Sequence, residues 1–306
     1  MRILVPDSPA FKSLHDSAVD FVPYARDGEI PTRADGVVML GVPRAHRQKL
    51  LALPGLKWAL TLTAGVDHIT SDLPAGVALF NASDLHADAV AQHAVATLLS
   101  AARGLHLARD FQRERTWGRF GVFSGAERAG QGLGTLAGRH VVIWGYGHIG
   151  RRLEAYLVPF GARVTGLRSS HSPYDVNSAL ADADVAVLLL PSTPGTKGIV
   201  NADVLSRLKP GAWLANYGRG ELVVTDDLVG SLHAGHLGGA ILDVTNPEPL
   251  PAESPLWEMP NVIITPHVAA ATSDIEQRAA AFTADFVRQL VRGDEPPNRV
   301  DVSRGY

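Results

Sequence analysis

Between the apolar run His140 to Trp144 and a stretch in which Ile149, Leu153, Leu157 and Phe160 recur at helical spacing, the chain places Gly145-Tyr146-Gly147-His148-Ile149-Gly150. A GxGxxG segment joining a strand to a helix restricts the chain to few folds. The first glycine permits a tight turn, the second lets the backbone approach a pyrophosphate, the third lets helix and strand close together, and the helix N-terminus offers N–H groups to the anion. Short apolar runs stand at 140–144, 163–167, 185–190, 212–216, 239–243 and 262–265. They are continuous rather than alternating in polarity, the pattern of strands buried on both faces of a parallel sheet. Six such strands complete a dinucleotide-binding sheet. The expected fold class is α/β, with a Rossmann-type doubly wound parallel sheet as the cofactor domain.

At 306 residues the chain exceeds the usual size of one domain. Residues 1–100 carry a second α/β pattern, with apolar runs at 2–5, 36–40, 57–62 and 77–80. From Asp84 to Asp110 a proline-free stretch places Val90, Ala94, Leu98, Ala101 and Leu105 at spacings of three and four, which predicts one long helix. Residues 113–135, with Trp117, Phe120 and Phe123 among glycines and arginines, show no period and read as a connecting arm. The last amphipathic segment has Ser273 or Asp274 as its N-cap and Ile275, Ala279, Phe282, Phe286 and Leu290 on one stripe.

Composition removes several classes of function. A formal net charge of −3 and scattered Lys and Arg, apart from a cluster at Arg109, Arg113 and Arg115, give no field for nucleic acid. Without cysteine there is no disulfide, thiol nucleophile or thiolate metal site. The N-terminus lacks a signal-peptide pattern, and no apolar stretch approaches the roughly 18 residues of a membrane span. A soluble, cytoplasmic protein is expected, with no membrane partner.

Polar residues stand where three of the apolar runs end: Arg219, Asp243 and His267. In an open α/β sheet the carboxyl ends of the strands face the ligand crevice, so a cation, a carboxylate and an imidazole are expected to converge. Glu248 adds a partner for the imidazole, and the set has the parts of a proton-transfer site acting on an anionic substrate. Blander readings stand beside these: Arg219 as a surface cation held by Asp226 or Asp227, Glu248 as a turn residue in a Pro-rich segment, His267 as a structural histidine. His86 and His93 are seven residues apart, too far for shared ligation on one helix, and read as packing or capping residues; no metal site is expected.

An NAD-binding sheet normally carries an acidic residue about 20 positions beyond the loop, for the ribose hydroxyl. Here the second run ends in Arg168-Ser169-Ser170. A guanidinium followed by two hydroxyls suits a 2′-phosphate, so NADP(H) is the expected cofactor, with NAD(H) as the alternative and adenine stacking as another use of Arg168.

Ordered segments resemble the D-isomer-specific 2-hydroxyacid dehydrogenases, a family that includes glyoxylate and hydroxypyruvate reductases: TAGVDHI at 63–69, GYGHIG at 145–150, PSTPGTKGIVN at 191–201, LKPGAWLANYGRGELV at 208–223, LDVTNPEPLP at 242–251 and TPHVAAAT at 265–272. The resemblance covers most of the chain. It implies a smaller flavodoxin-like substrate domain, 1–100 with 275–306, interrupted by a dinucleotide-binding domain, 101–274, and a homodimer. It further implies that Arg219 binds the 2-oxo acid carboxylate and polarises its carbonyl, that His267 gives the proton, that Glu248 orients His267 and favours its charged form, and that the N–H groups of Ala64 and Gly65 bind the carboxylate. The cofactor would contact Gly145 to Gly150, Arg168, Ser169, Ser170, Pro191, Thr196, Asn216, Gly218, Asp243 and His267, with Asp243 touching the nicotinamide amide or supporting Arg219. Gln92 precedes His93 where the family often has Glu, and Val224 stands where it often has Asp or Asn. The alternative function is a dinucleotide-sensing binding protein like the corepressor relatives of this family. Formate and phosphite oxidation are disfavoured, the first by Glu248 and the second by Thr63.

Overall fold

The computed structural model describes residues 1–118, 133–296 and 298–304. By contact they divide into two compact units, Met1–His86 with Ala271–Tyr306, and Ala87–Ala270.

The first unit holds five parallel strands, β1 (Arg2–Pro6), β2 (Asp20–Tyr24), β3 (Gly36–Met39), β4 (Trp58–Thr61) and β5 (Ala78–Phe80), in the order β2-β1-β3-β4-β5. That is the flavodoxin-like order. Two short helices, α1 (Pro9–Lys12) and α2 (Arg44–Leu51), lie in its connections. The terminal helix Ile275–Arg292 packs on this sheet through Ala279, Ala280, Phe286 and Val287, and the Phe286 ring meets Trp58 and Phe80 edge-on at 5.2 and 5.0 Å. Its N-cap is Asp274, whose side chain makes no capping bond. β2 is absent from the apolar runs of the sequence because it is an edge strand interrupted by Pro23, which an edge tolerates where a central strand does not.

The second unit begins with α3 (Ala87–Arg103) and α4 (Leu105–Arg113). The single helix expected over 84–110 is thus two helices, separated by Gly104 in the left-handed conformation, φ 61°. Six parallel strands follow: β6 (His140–Trp144), β7 (Arg163–Leu167), β8 (Val185–Leu188), β9 (Trp213–Asn216), β10 (Gly239–Leu242) and β11 (Val262–Ile264). Helices α5 (His148–Leu157), α6 (Pro173–Ala181), α7 (Ala202–Arg207) and α8 (Thr225–His233) connect them. Each strand matches an expected run to within two residues at either end. The order is β11-β10-β9-β8-β6-β7, so the sheet reverses direction between β6 and β8. Val141, Ile143, Val185, Val187, Ala215 and Ile241 pack one face, and Val142, Trp144, Ala186, Leu188, Leu214 and Leu242 the other. Strand residues point alternately to the two faces, and both faces are covered, which is why the runs are apolar throughout.

The boundaries differ from the expected 100/101 and 274/275. Helix α3 packs on α5, where Asp88 takes the Tyr156 hydroxyl at 2.8 Å and pairs with Arg152 at 3.0 Å, so it belongs to the second unit. Phe160 leaves the expected stripe: Val158–Phe160 forms a 3₁₀ turn around Pro159, and the ring is 46% exposed. Most of the connecting arm lies outside the described residues.

Charges close the amino ends of the second sheet. Asp182 bonds Arg163 at 2.6 Å, Lys209 at 3.1 Å and the His140 ring at 3.0 Å, while Asp184 accepts the His140 N–H at 2.7 Å. Hydrogen bonds from Arg163 and Lys209 hold the Asp182 carboxyl down at about 2. Among the described residues no helix is long and apolar enough to cross a membrane.

Candidate active site

Thr196, Asn216 and Asp243, at the carboxyl ends of the second sheet, each bond the backbone of a loop. After β6 comes Gly145, with φ 107°, where a Cβ would lie 2.4 Å from the carbonyl carbon of Leu189, just past β8. Only glycine fits there. The loop therefore lies where the sheet reverses, the place at which open α/β sheets bind ligands. Helix α5 starts at His148 with no side-chain cap, and a helix N-terminus directs backbone N–H groups and the positive end of its dipole toward an anion. The cradle fits a dinucleotide pyrophosphate.

Tyr146 has a use the motif does not reveal. Its ring lies against Gly166 of β7, its hydroxyl donates to Glu154 of α5, and the Arg168 guanidinium sits 5.3 Å from the ring centroid. The expected cation beyond β7 is thus present, exposed and backed by an aromatic face. Ser169 and Ser170 follow it, also exposed.

Beyond β8 the Pro191 carbonyl accepts the Thr196 hydroxyl at 2.6 Å, and Thr196 Oγ1 accepts the Thr193 N–H at 2.8 Å. Thr196 closes this turn. Beyond β9, Asn216 is 1% exposed: its Oδ1 accepts the Gly218 N–H at 3.1 Å and its Nδ2 donates to the Arg219 carbonyl at 2.9 Å. The Arg219 guanidinium donates to the Gly218 carbonyl at 3.0 Å. Asn216 therefore holds the Arg219 loop from within. Gly220 touches the segment that leads to Glu248, and a Cβ there would lie 1.8 Å from the Thr245 carbonyl oxygen.

Beyond β11, His267 has φ 54°, an uncommon conformation for a residue with a side chain. Its Nδ1 is 2.6 Å from Glu248 Oε1, which fixes the ring and directs its Nδ1 proton to the carboxylate, leaving Nε2 for another partner. Asp243, 3% exposed, accepts the Val268 N–H and the Thr265 hydroxyl on Oδ1, at 3.0 and 2.6 Å, and the Ala269 N–H on Oδ2 at 3.0 Å. Its backbone carbonyl takes the His267 N–H at 2.8 Å. The carboxylate thus holds the turn that carries His267, a role outside the two expected for it. No Lys or Arg among the described residues pairs with this buried carboxylate, which makes those donors necessary.

Thr97, Tyr217 and Thr265 carry no site signal of their own in the sequence, and the spacing from His86 gives His93 only a packing or capping role. Its Nε2 lies 3.1 Å from Thr265 Oγ1 and 3.7 Å from Asp243 Oδ1. Tyr217 is buried, its ring meets His93 edge-on at 6.1 Å, and its hydroxyl is 2.7 Å from Thr97 Oγ1. Burial pushes the Tyr217 phenol up, against the Thr97 bond and with help from the Asp243 charge, so it serves as a neutral hydroxyl. One sequence signal existed: His93 and Thr97 share a helix face four residues apart.

In the first unit, Ala64 and Gly65 follow β4. Their carbonyls accept from Asn81 Nδ2 at 3.0 Å and Thr63 Oγ1 at 2.8 Å, while no acceptor among the described residues takes their N–H groups.

Residues 95–269 match the family described as D-isomer specific 2-hydroxyacid dehydrogenase, NAD binding domain. An uncharacterized protein of Corynebacterium melassecola is 37% identical over 236 residues, 74% of this chain and 75% of that protein. A D-3-phosphoglycerate dehydrogenase of Mycobacterium tuberculosis is 32% identical over 89% of this chain, which spans only 52% of that enzyme's length. Among solved structures, a D-isomer specific 2-hydroxyacid dehydrogenase of Xanthobacter autotrophicus, in complex with NADPH and MES, superposes with a TM-score of 0.78 at 29% identity and covers 100% of both chains. An NADPH-dependent glyoxylate/hydroxypyruvate reductase of Sinorhizobium meliloti, in complex with NADP and sulfate, gives 0.81 at 26% identity, covering 100% of this chain and 99% of that one. With its two parallel sheets, its glycine loop at the reversal point and these relatives, the chain belongs to the D-isomer-specific 2-hydroxyacid dehydrogenase family.

Proposed function

We propose that this protein reduces a small 2-oxo acid of the glyoxylate or hydroxypyruvate type to the D-2-hydroxy acid, using NADPH in preference to NADH, as a cytoplasmic homodimer. The observation that carries the reading is the 2.6 Å bond between His267 and Glu248 at the end of β11. With Nδ1 committed to the carboxylate, Nε2 of His267 is the atom that gives a proton to the substrate carbonyl oxygen and takes it back in the reverse direction. Arg219, a planar and permanently charged group, binds the substrate carboxylate and polarises the carbonyl. The N–H groups of Ala64 and Gly65 are further carboxylate ligands. Gly145 to Gly150 and the first turn of α5 hold the pyrophosphate, and Arg168 with Ser169 and Ser170 holds the 2′-phosphate. Pro191, Thr196, Asn216 and Gly218 shape the nicotinamide side. When bound, the reduced nicotinamide supplies the hydride.

The relatives support the substrate class and the cofactor: the reductase from Sinorhizobium meliloti acts with NADPH on glyoxylate and hydroxypyruvate. The test is an initial-rate panel of glyoxylate, hydroxypyruvate, 3-phosphohydroxypyruvate and pyruvate with each reduced cofactor. Turnover of the unphosphorylated acids to the D-product, with NADPH favoured by about tenfold or more in kcat/KM, is the expected result. A preference for NADH overturns the cofactor assignment, and cofactor binding without turnover of any acid favours a dinucleotide-sensing binding protein.

A further inference from the structure

We infer that His93, with Thr265, is a positioning residue for the proton transfer at His267. The inference rests on the assignment of His267 as proton donor. The Thr265 hydroxyl has one proton, and at 2.6 Å from Asp243 Oδ1 that proton goes to the carboxylate, which only accepts. Thr265 Oγ1 must therefore accept from His93 Nε2, 3.1 Å away, and His93 carries its proton on that nitrogen. The chain runs in one sense: His93 N–H to Thr265, Thr265 O–H to Asp243.

The receiving end is the clamp around His267. Asp243 grips the turn on both sides of the histidine, at the Thr265 hydroxyl before it and at the Val268 and Ala269 N–H groups after it. Between those grips His267 sits at φ 54°, a backbone state that is unfavourable for a residue with a side chain and persists only where surroundings impose it. His93 sets the direction of the Thr265 hydroxyl and so completes one side of the clamp. Its own place is fixed from behind by the edge of the Tyr217 ring, which Thr97, one turn along α3, holds through its hydroxyl. Among the described residues no hydrogen bond, ion pair or ring pairing joins His93 to Glu248 or to the His267 ring; it acts on the backbone that aims the ring.

The test compares His93→Phe, which keeps the ring and removes the donor, with His93→Gln, which returns an N–H at a similar reach, and adds Thr265→Val, Thr265→Ser and the double variant His93→Phe/Thr265→Val. Expected for His93→Phe is a fall of about tenfold in kcat with the KM of the 2-oxo acid unchanged, restored to within about threefold by His93→Gln. Thr265→Val should match it, Thr265→Ser should recover, and the double variant should be no worse than the poorer single one, since both remove the same link. The second readout is the ring Cε1–H NMR signal of His267, identified by its loss in His267→Gln, in protein without substrate. It should move in His93→Phe and Thr265→Val and return in His93→Gln and Thr265→Ser. An unmoved signal, a loss confined to KM, a failure of Gln to restore, or additive losses in the double variant each overturn the inference. Absence of turnover in the unaltered protein would instead defeat the proposed reaction, and the NMR arm would still decide the positioning.

Discussion

The two ends of the six-stranded sheet are both rich in polar side chains, and they differ in what satisfies them. At the amino ends, Asp182, Arg163, Lys209 and His140 largely satisfy one another, and most of them face solvent. At the carboxyl ends, Asn216 and Asp243 are buried and spend their hydrogen bonds mainly on the backbone of the loops beside them, the Thr265 hydroxyl being the side-chain donor to Asp243. Charges that pair with each other close an edge. Buried groups that bond backbone fix the path of a loop, and so the place of the side chains that the loop carries.

Substitutions along the sheet can break this contrast. The largest effect is expected from His267→Ala, which should lower kcat by about a thousandfold while leaving cofactor affinity intact, because a proton donor acts only in the transition state; steady-state kinetics with a cofactor titration checks it. Arg219→Ala should cost about a hundredfold in kcat/KM and, unlike the histidine change, raise the KM of the 2-oxo acid. Next comes Asp243→Asn, which turns an acceptor into a mixed donor and acceptor facing backbone N–H groups. It should lower both kcat, by about tenfold, and Tm, and a normal kcat would show that the clamp is idle. Arg168→Ala should reduce the discrimination between NADPH and NADH by about tenfold without changing kcat, as read from the two kcat/KM values.

The smallest effect belongs to the other end of the sheet. Asp182→Asn should leave kcat and both KM values alone and lower Tm slightly at neutral pH. The Asp182 carboxyl sits at about 2 in the folded chain against 3.8 ordinarily. A depressed carboxyl stabilises the fold above 3.8, and that contribution fades as pH falls toward 2. The Tm gap between the two proteins should therefore be constant from pH 7 to about 5 and close on further acidification. An activity change in this variant would erase the contrast between the ends.

Much of the molecule was legible in its sequence because the signals were local. Continuous apolar runs marked all six strands of the second sheet, and the glycine spacing marked its reversal loop. β2 escaped because Pro23 interrupts an edge strand whose pairing comes only from β1. The break at Gly104 escaped because the helical period continues through it in sequence although the backbone does not. At the candidate site, Arg219, Asp243 and His267 could be singled out by their place after apolar runs, and Glu248 by the Pro-rich segment that follows one of them. The support beneath them was hidden, since His93 and Thr265 are 172 positions apart and only folding brings them together.

Gly220 has a consequence for anyone who would redesign this enzyme. Because it abuts the Thr245 carbonyl with no room for a methyl group, the loop of Arg219 and the segment leading to Glu248 meet backbone against backbone. Lengthening or re-routing either one shifts the other, so the cation and the acid that steadies the imidazole travel as a pair. Libraries aimed at new substrates should diversify both segments together, or neither.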